Sequence, residues 1–158
     1  MKSFAVYLCA LMFSACSHSY HMARIDDLEI HSFRRDYSNV HLVKLANESY
    51  LMIDSGSWDE APLLADDMRQ RGIQPSWVKA IVLTHGHWDH ASGAKYFQEQ
   101  FSVLIIAGRG DHRILTAGHS DPLCSTSLMA RLLASGNARK QFESPKITTW
   151  VLRLGFCT

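Results

Sequence analysis

No C-x-x-C pair occurs in this chain, and no basic stripe interleaved with aromatics, no internal repeat and no low-complexity tract. Each absence excludes something. Without paired cysteines, a thiolate zinc site is not expected. Without a basic stripe, and with a formal net charge of only +1, no nucleic-acid partner is called for. The apolar run at residues 4–13 is too short for a membrane-spanning helix, which needs about 20 residues. What remains is ordinary globular composition, 47% hydrophobic and 20% charged over 158 residues. That length allows one domain with a real core and leaves little room for a second.

The amino terminus has its own character. Lys2 supplies a positive start, the apolar run follows, and Ser14-Ala15-Cys16 closes it. This reads as a secretory signal over residues 1–15. The small residues before Cys16 resemble the bacterial lipoprotein cleavage box, with Phe13 where that pattern prefers leucine. The resemblance implies export, acylation of Cys16, and anchoring on the periplasmic or extracytoplasmic side of the membrane. An ordinary signal peptide and a buried amino-terminal strand are the alternatives. Cys9 would be removed with the signal and Cys16 consumed by lipid. Export would then permit a disulfide between Cys124 and Cys157 without requiring one.

Residues 16–24 are expected to form a polar tether, with the domain proper at residues 25–158. Leu28-Glu29-Ile30-His31 alternates apolar with polar, and residues 40–45 and 50–53 are rich in branched side chains. Three strands are therefore expected, with Asn47-Glu48 as a hairpin turn between the last two. Residues 59–71 carry Leu64 and Met68 four apart with Leu63 beside them, which predicts an amphipathic helix stopped by Gly72. Residues 78–83 are continuously apolar except for Lys79, as in a buried strand. Ala94, Phe97 and Phe101 fall at helical spacing, and residues 103–106 predict the next strand. Further on, Leu128, Met129, Leu132 and Leu133 form a helical stripe, residues 136–144 read as loop, and residues 147–156 allow a last strand.

The chemistry lies where the buried strand ends. Histidines at i and i+2 project to one side only if the backbone between them is extended or turning; on a helix they diverge. His85 and His87 can therefore pinch one divalent ion, while Asp89 and His90, further round the loop, reach a second. Imidazole with carboxylate suits zinc, one ion or two, and iron or manganese would fit the same donors.

Thr84-His85-Gly86-His87-Trp88-Asp89-His90-Ala91-Ser92-Gly93 resembles the metal-binding loop of the metallo-β-lactamase superfamily. Gly72-Ile73-Gln74-Pro75 and the strand after it resemble that family's lead-in, and Asp54 before Ser55-Gly56 matches its first acidic motif. The likeness runs from about Tyr50 to Phe101. It implies an α/β fold, the αββα sandwich, of which this chain is expected to hold the N-terminal half only. It implies His85 and His87 on a first metal, Asp89 and His90 on a second, and Asp89 as the catalytic residue that orients a metal-bound hydroxide. Asp54 would hydrogen-bond the loop without touching the ion. The hydroxide would attack a small-molecule ester, thioester, lactone, lactam or phosphodiester.

In that family a further histidine, a bridging aspartate and a last histidine follow on a second αββ half. Here only His112 and His119 come after His90. Both are read as loop histidines near a pocket, although Gly118-His119-Ser120 resembles the context of the family's third ligand. His18, His21, His31 and His41 are read as surface or edge residues. Trp58, Trp88 and Trp150 suggest a substrate platform or plain packing, and Trp77 beside Pro75 suggests packing. Three functional readings stay open: a zinc hydrolase, a truncated non-catalytic fragment, and a membrane-anchored lipoprotein that binds a metal or partner.

Overall fold

The computed structural model describes residues 19–119 and 141–152. The expected helical stripe at Leu128 to Leu133, the signal segment and all four cysteines lie outside those residues. Among the described residues, no helix is long and apolar enough to cross a membrane.

Seven strands form one sheet in chain order: β1 (Tyr20–Ile25), β2 (Leu28–Arg34), β3 (Asn39–Lys44), β4 (Tyr50–Ile53), β5 (Val78–Leu83), β6 (Leu104–Gly108) and β7 (Thr149–Val151). The first four are antiparallel neighbours and the last four are parallel. Short loops permit the former; crossover helices impose the latter. Asn47 and Glu48 take φ of 58° and 53°, and Ser49 N–H closes the turn onto Ala46 O. Positive φ at both central residues is the type I′ geometry that matches strand twist, so the hairpin turn lies where the sequence put it.

Between β4 and β5 runs helix α1 (Ala61–Gln70), which buries Ala61, Leu64, Ala65 and Met68. Full burial of Leu64 and Met68 contributes about 1.5–3 kcal/mol each. Gly72, at φ 77°, ends the helix. Ile73 N–H reaches Met68 O and Gly72 N–H reaches Arg69 O, both at 3.0 Å. That bond pair is a Schellman cap, and it needs a residue without Cβ strain at Gly72. After β5 come a short helix α2 (Trp88–Ala91) and α3 (Gly93–Phe101); after β6 comes α4 (His112–Ala117).

Helices α1 and α3 pack together on one face of the sheet. There Phe33, Val40, Leu42, Met52, Ile81, Leu83 and Ile105 meet Leu64, Met68, Ala94 and Phe97 in one buried core. The other face is apolar too: Ile30, Val43, Leu51, Ile53, Val82 and Ile106 line it half-buried. This is why β5 reads as an apolar run broken only by Lys79.

Two expectations need correction. Residues 20–24 belong to β1, paired along its whole length with β2, so the polar tether does not extend through them. The segment is a sheet edge in which only Tyr20 and Ala23 are partly buried. His31 is not a surface residue but 8% exposed, its Nδ1 2.7 Å from Tyr20 Oη and its Nε2 3.0 Å from Glu29 Oε1.

Candidate metal centre

Strands β4 and β5 are parallel neighbours, with Ile53 opposite Val82. Their carboxyl ends therefore lie side by side, and Asp54 N–H continues the ladder onto Val82 O. This places Asp54, 5% exposed, level with Thr84 at the start of the histidine loop. Its φ of 56° is a left-handed conformation that aspartate tolerates better than most residues.

Asp54 holds three groups of that loop. Thr84 N–H donates to Oδ1 at 2.8 Å, Thr84 Oγ1 donates to Oδ2 at 2.7 Å, and His90 Nδ1 lies 2.8 Å from Oδ2. Thr84 Oγ1 is also 3.1 Å from His85 Nδ1. A hydroxyl carries one proton, and here the carboxylate takes it. His85 Nδ1 must then be the donor to Thr84, and His90 Nδ1 the donor to Asp54. His85 is left with an Nε2 lone pair, the form in which imidazole binds metal, and His90 has one whenever it is neutral.

The charges agree. Burial, reinforced by the neighbouring His90 and His87, lowers the His85 pKa to about 4, so this ring is neutral. Burial also acts to lower the His90 pKa, but the Asp54 hydrogen bond and charge, with Asp89 beside it, raise it on balance.

The backbone of the loop is fastened elsewhere. Ser55 donates to His90 O through its N–H at 2.9 Å and its Oγ at 2.7 Å. Ser38, in the turn between β2 and β3, donates to Asp89 O at 2.6 Å. Gly93 N–H donates to Gly56 O at 3.0 Å. A Cβ at Gly93 would lie 2.4 Å from Ser55 O, so only glycine allows α3 to start this close to the Asp54 turn.

The loop brings the four expected residues together, all half-buried. The His85 ring centroid is 4.8 Å from that of His87 and 4.0 Å from that of His90, and Asp89 Oδ2 is 3.6 Å from His90 Nε2. In kind these donors fit zinc. They do not converge: among the described residues, no three His, Cys, Asp or Glu side chains are grouped so as to hold an ion.

The later histidines belong to other elements. His119 is exposed and forms an isolated bridge to Gln141. His112 begins α4 rather than lying in a loop, its ring 5.0 Å from that of Trp150. Trp77 packs against the core as expected. Trp88 meets Tyr37 edge-on at 5.5 Å. With Trp58 and Phe142 it lines an open cavity of about 420 Å³ beside the loop. Sequence reasoning missed Arg35, 3% exposed, which ties the β2–β3 turn to α1 through Asp67 at 2.5 Å. It also missed Asp111, buried under the loop.

Residues 33–146 match the profile of the metallo-beta-lactamase superfamily. The chain belongs to that superfamily. Its match to the "Probable metallo-hydrolase YflN" of Bacillus subtilis is 32% identical over 78 residues, 48% of this chain and 30% of that protein. A hydroxyacylglutathione hydrolase of Xanthomonas axonopodis pv. citri is 38% identical over 69 residues, covering 44% of this chain and 25% of its own. Among solved structures, the subclass B3 metallo-beta-lactamase BJP-1 of Bradyrhizobium japonicum superposes with a TM-score of 0.65 at 18% identity, over 88% of this chain and 48% of that one. FEZ-1 of Legionella gormanii gives 0.61 at 15%, over 78% and 43%. At such identities the likeness establishes the fold. The chain spans less than half the length of these relatives.

Proposed function

We propose that this superfamily member contributes the histidine loop of a zinc-dependent hydrolase acting on a small-molecule ester, thioester, lactone, lactam or phosphodiester. His85 and His87 would hold one ion, and Asp89 and His90 a second. The observation that carries this reading is the hydrogen-bonded chain from His85 through Thr84 and Asp54 to His90, which engages both Nδ1 atoms and leaves both Nε2 atoms to face a metal. A bound zinc supplies Lewis acidity toward the substrate oxygen and acidifies water. Asp89, half-buried beside His90, accepts a hydrogen bond from the attacking water and orients it.

Catalytic zinc takes three protein ligands and keeps one open position, so loop donors that do not converge should bind it weakly. Zinc stoichiometry by chelator competition, with turnover of ester and lactam reporters, tests the reading. We expect weak binding that His87→Ala and Asp89→Ala abolish and that His119→Ala leaves unchanged. Turnover should be near background in the 158-residue chain and rise when a downstream αββ half is supplied. Failure of His87→Ala to alter zinc binding would overturn the assignment. The lack of a converging third donor among the described residues favours, as second reading, metal binding without catalysis. Zinc uptake with no turnover under any complementation would select it.

The proposal extends to location. Cys16, outside the described residues, would carry a lipid that anchors the domain on the outer side of the cytoplasmic membrane. Cys16→Ser should release the protein into the soluble fraction; a mature chain that keeps Met1 would refute the anchor.

A further inference from the structure

Asp54 grips the histidine loop at its two ends, Thr84 and His90, but the peptide between the two first histidines is held from another direction. Gly86 is buried. A Cβ placed on it would come 3.1 Å from Ile114 Cγ2, 3.2 Å from Leu115 Cγ and 3.3 Å from Asp111 Cβ. The middle of the loop is therefore seated directly on α4 and on the turn before it.

Asp111 ends that turn and is 8% exposed. Burial raises the pKa of its carboxyl, against the opposing effects of a hydrogen bond from Gly86 N–H and of the nearby His87. The oxygen Oδ2 is buried with no hydrogen-bond partner among the described residues. A carboxylate oxygen kept from water without a partner is costly, and native proteins rarely keep one without use. Imidazoles that bind metal through one nitrogen commonly donate the other N–H to a carboxylate, which fixes tautomer and ring orientation.

We infer that Asp111 is the positioning residue for the His85-Gly86-His87 turn: one carboxylate oxygen holds the Gly86 peptide, and the other accepts the N–H of His87 that a metal does not use. Asp54 and Asp111 thus clamp the loop from opposite elements, the former setting His85 and His90, the latter His87. The inference rests on the proposed metal-binding role only in its second half. The hold on Gly86 is a property of the metal-free chain.

The test uses the full chain with Asp111→Ala and Asp111→Asn. In metal-free protein the Gly86 amide proton should resonate downfield in the wild type, move upfield by several tenths of a ppm in Asp111→Ala, and return most of the way in Asp111→Asn, whose side-chain oxygen still accepts. With zinc alone as probe, Asp111→Ala should lower affinity about tenfold or more, and the His87 ring 15N signals should change from one tautomer to a mixture. Asp111→Asn should recover the Gly86 signal but not the His87 tautomer, because an amide offers one acceptor where the carboxylate offers two. Unchanged Gly86 and His87 signals in a folded Asp111→Ala would overturn the inference. If that variant fails to fold, Asp111→Asn decides: a Gly86 shift that does not stay near the wild-type value overturns the first half, and an unchanged His87 tautomer with zinc overturns the second. A wild type that takes up no zinc, with the Gly86 shifts as expected, refutes the metal-binding proposal and leaves the Gly86 hold standing.

Discussion

Replacing Asp54 should uncouple the histidine loop from the sheet, and two substitutions separate the effect on stability from that on metal. Asp54→Ala removes three bonds of 2.7–2.8 Å, to Thr84 N–H, Thr84 Oγ1 and His90 Nδ1. At 5% exposure water does not replace them. Leaving a donor without its partner costs about 1–3 kcal/mol, about 3–5 kcal/mol for these three half-buried groups together, and alanine at φ 56° adds about 1 kcal/mol. A loss of about 4–6 kcal/mol approaches the whole stability of many domains, and the melting point should fall by roughly 10 °C or more. Asparagine tolerates the same φ, and its oxygen still accepts from Thr84 N–H. Its amide must donate where the carboxylate accepted, so His90 is forced to offer Nδ1 as acceptor and to carry its proton on Nε2. Asp54→Asn should therefore fold, melt only a few degrees low, and lose zinc affinity at least about tenfold. Thermal melts followed by circular dichroism and zinc competition read both effects. An Asp54→Ala protein that melts within about 2 °C of the wild type would refute the bracing. An Asp54→Asn protein with unchanged zinc affinity would refute the tautomer argument.

Gly93→Ala forces a Cβ to within 2.4 Å of Ser55 O, so α3 and the Asp54 turn must part. We expect a loss of about 2–4 kcal/mol in chemical denaturation, and an unchanged midpoint would show that the two elements are not in contact. Acid should destabilise the metal-free chain through His85. Its pKa falls from 6.5 in the unfolded chain to about 4 on folding, so between these values the unfolded state binds more protons and stability rises with pH. The contribution is present above pH 6.5 and lost as pH falls through about 4. His90 has the opposite sign, its raised pKa favouring the folded state below the unfolded value and ceasing to do so as pH rises through the folded one. Urea midpoints of the wild type and His85→Asn across this range check it: the variant should lose less on acidification, and equal losses would count against a half-buried neutral His85.

The elements that were legible in the sequence are those whose pattern is local. The spacing of Leu64 and Met68 together with Gly72 specified α1 and its cap, and both φ values at Asn47-Glu48 follow from a two-residue hairpin. Strand β1 was not legible. Its six residues show only Tyr20 and Ala23 partly buried, because an edge strand needs no buried face to hold its ladder. The alternation at the start of β2 was legible but misleading. Leu28 is 42% exposed while His31 and Phe33, on the helix-covered face, are 8% and 1% exposed. Polarity does not decide the face here, since Tyr20 and Glu29 satisfy both nitrogens of His31. Asp111 left no trace, for its contact with Gly86 exists only once α4 is laid against the loop.

The metal loop divides the same way. Its donors are encoded by the i, i+2 spacing of His85 and His87 at the end of a buried strand, a purely local relation. The bonds that fix those donors join residues 30, 36, 35 and 51 positions apart. One of these was within reach of the sequence. A strand, helix and strand in succession place two parallel strands side by side, and the ends of such strands lie level, so an acidic residue closing β4 must stand beside whatever follows β5. The same geometry makes the site sensitive to register. A slip of two residues between β4 and β5 keeps every side chain on its own face but carries Asp54 about 7 Å along the strand, beyond reach of Thr84 and His90. Faces alone cannot specify the pairing that the loop requires. The remaining specification must come from the length of the crossover, which the Schellman cap at Gly72 and the buried contact of Ile73 with Met68 hold to a single value.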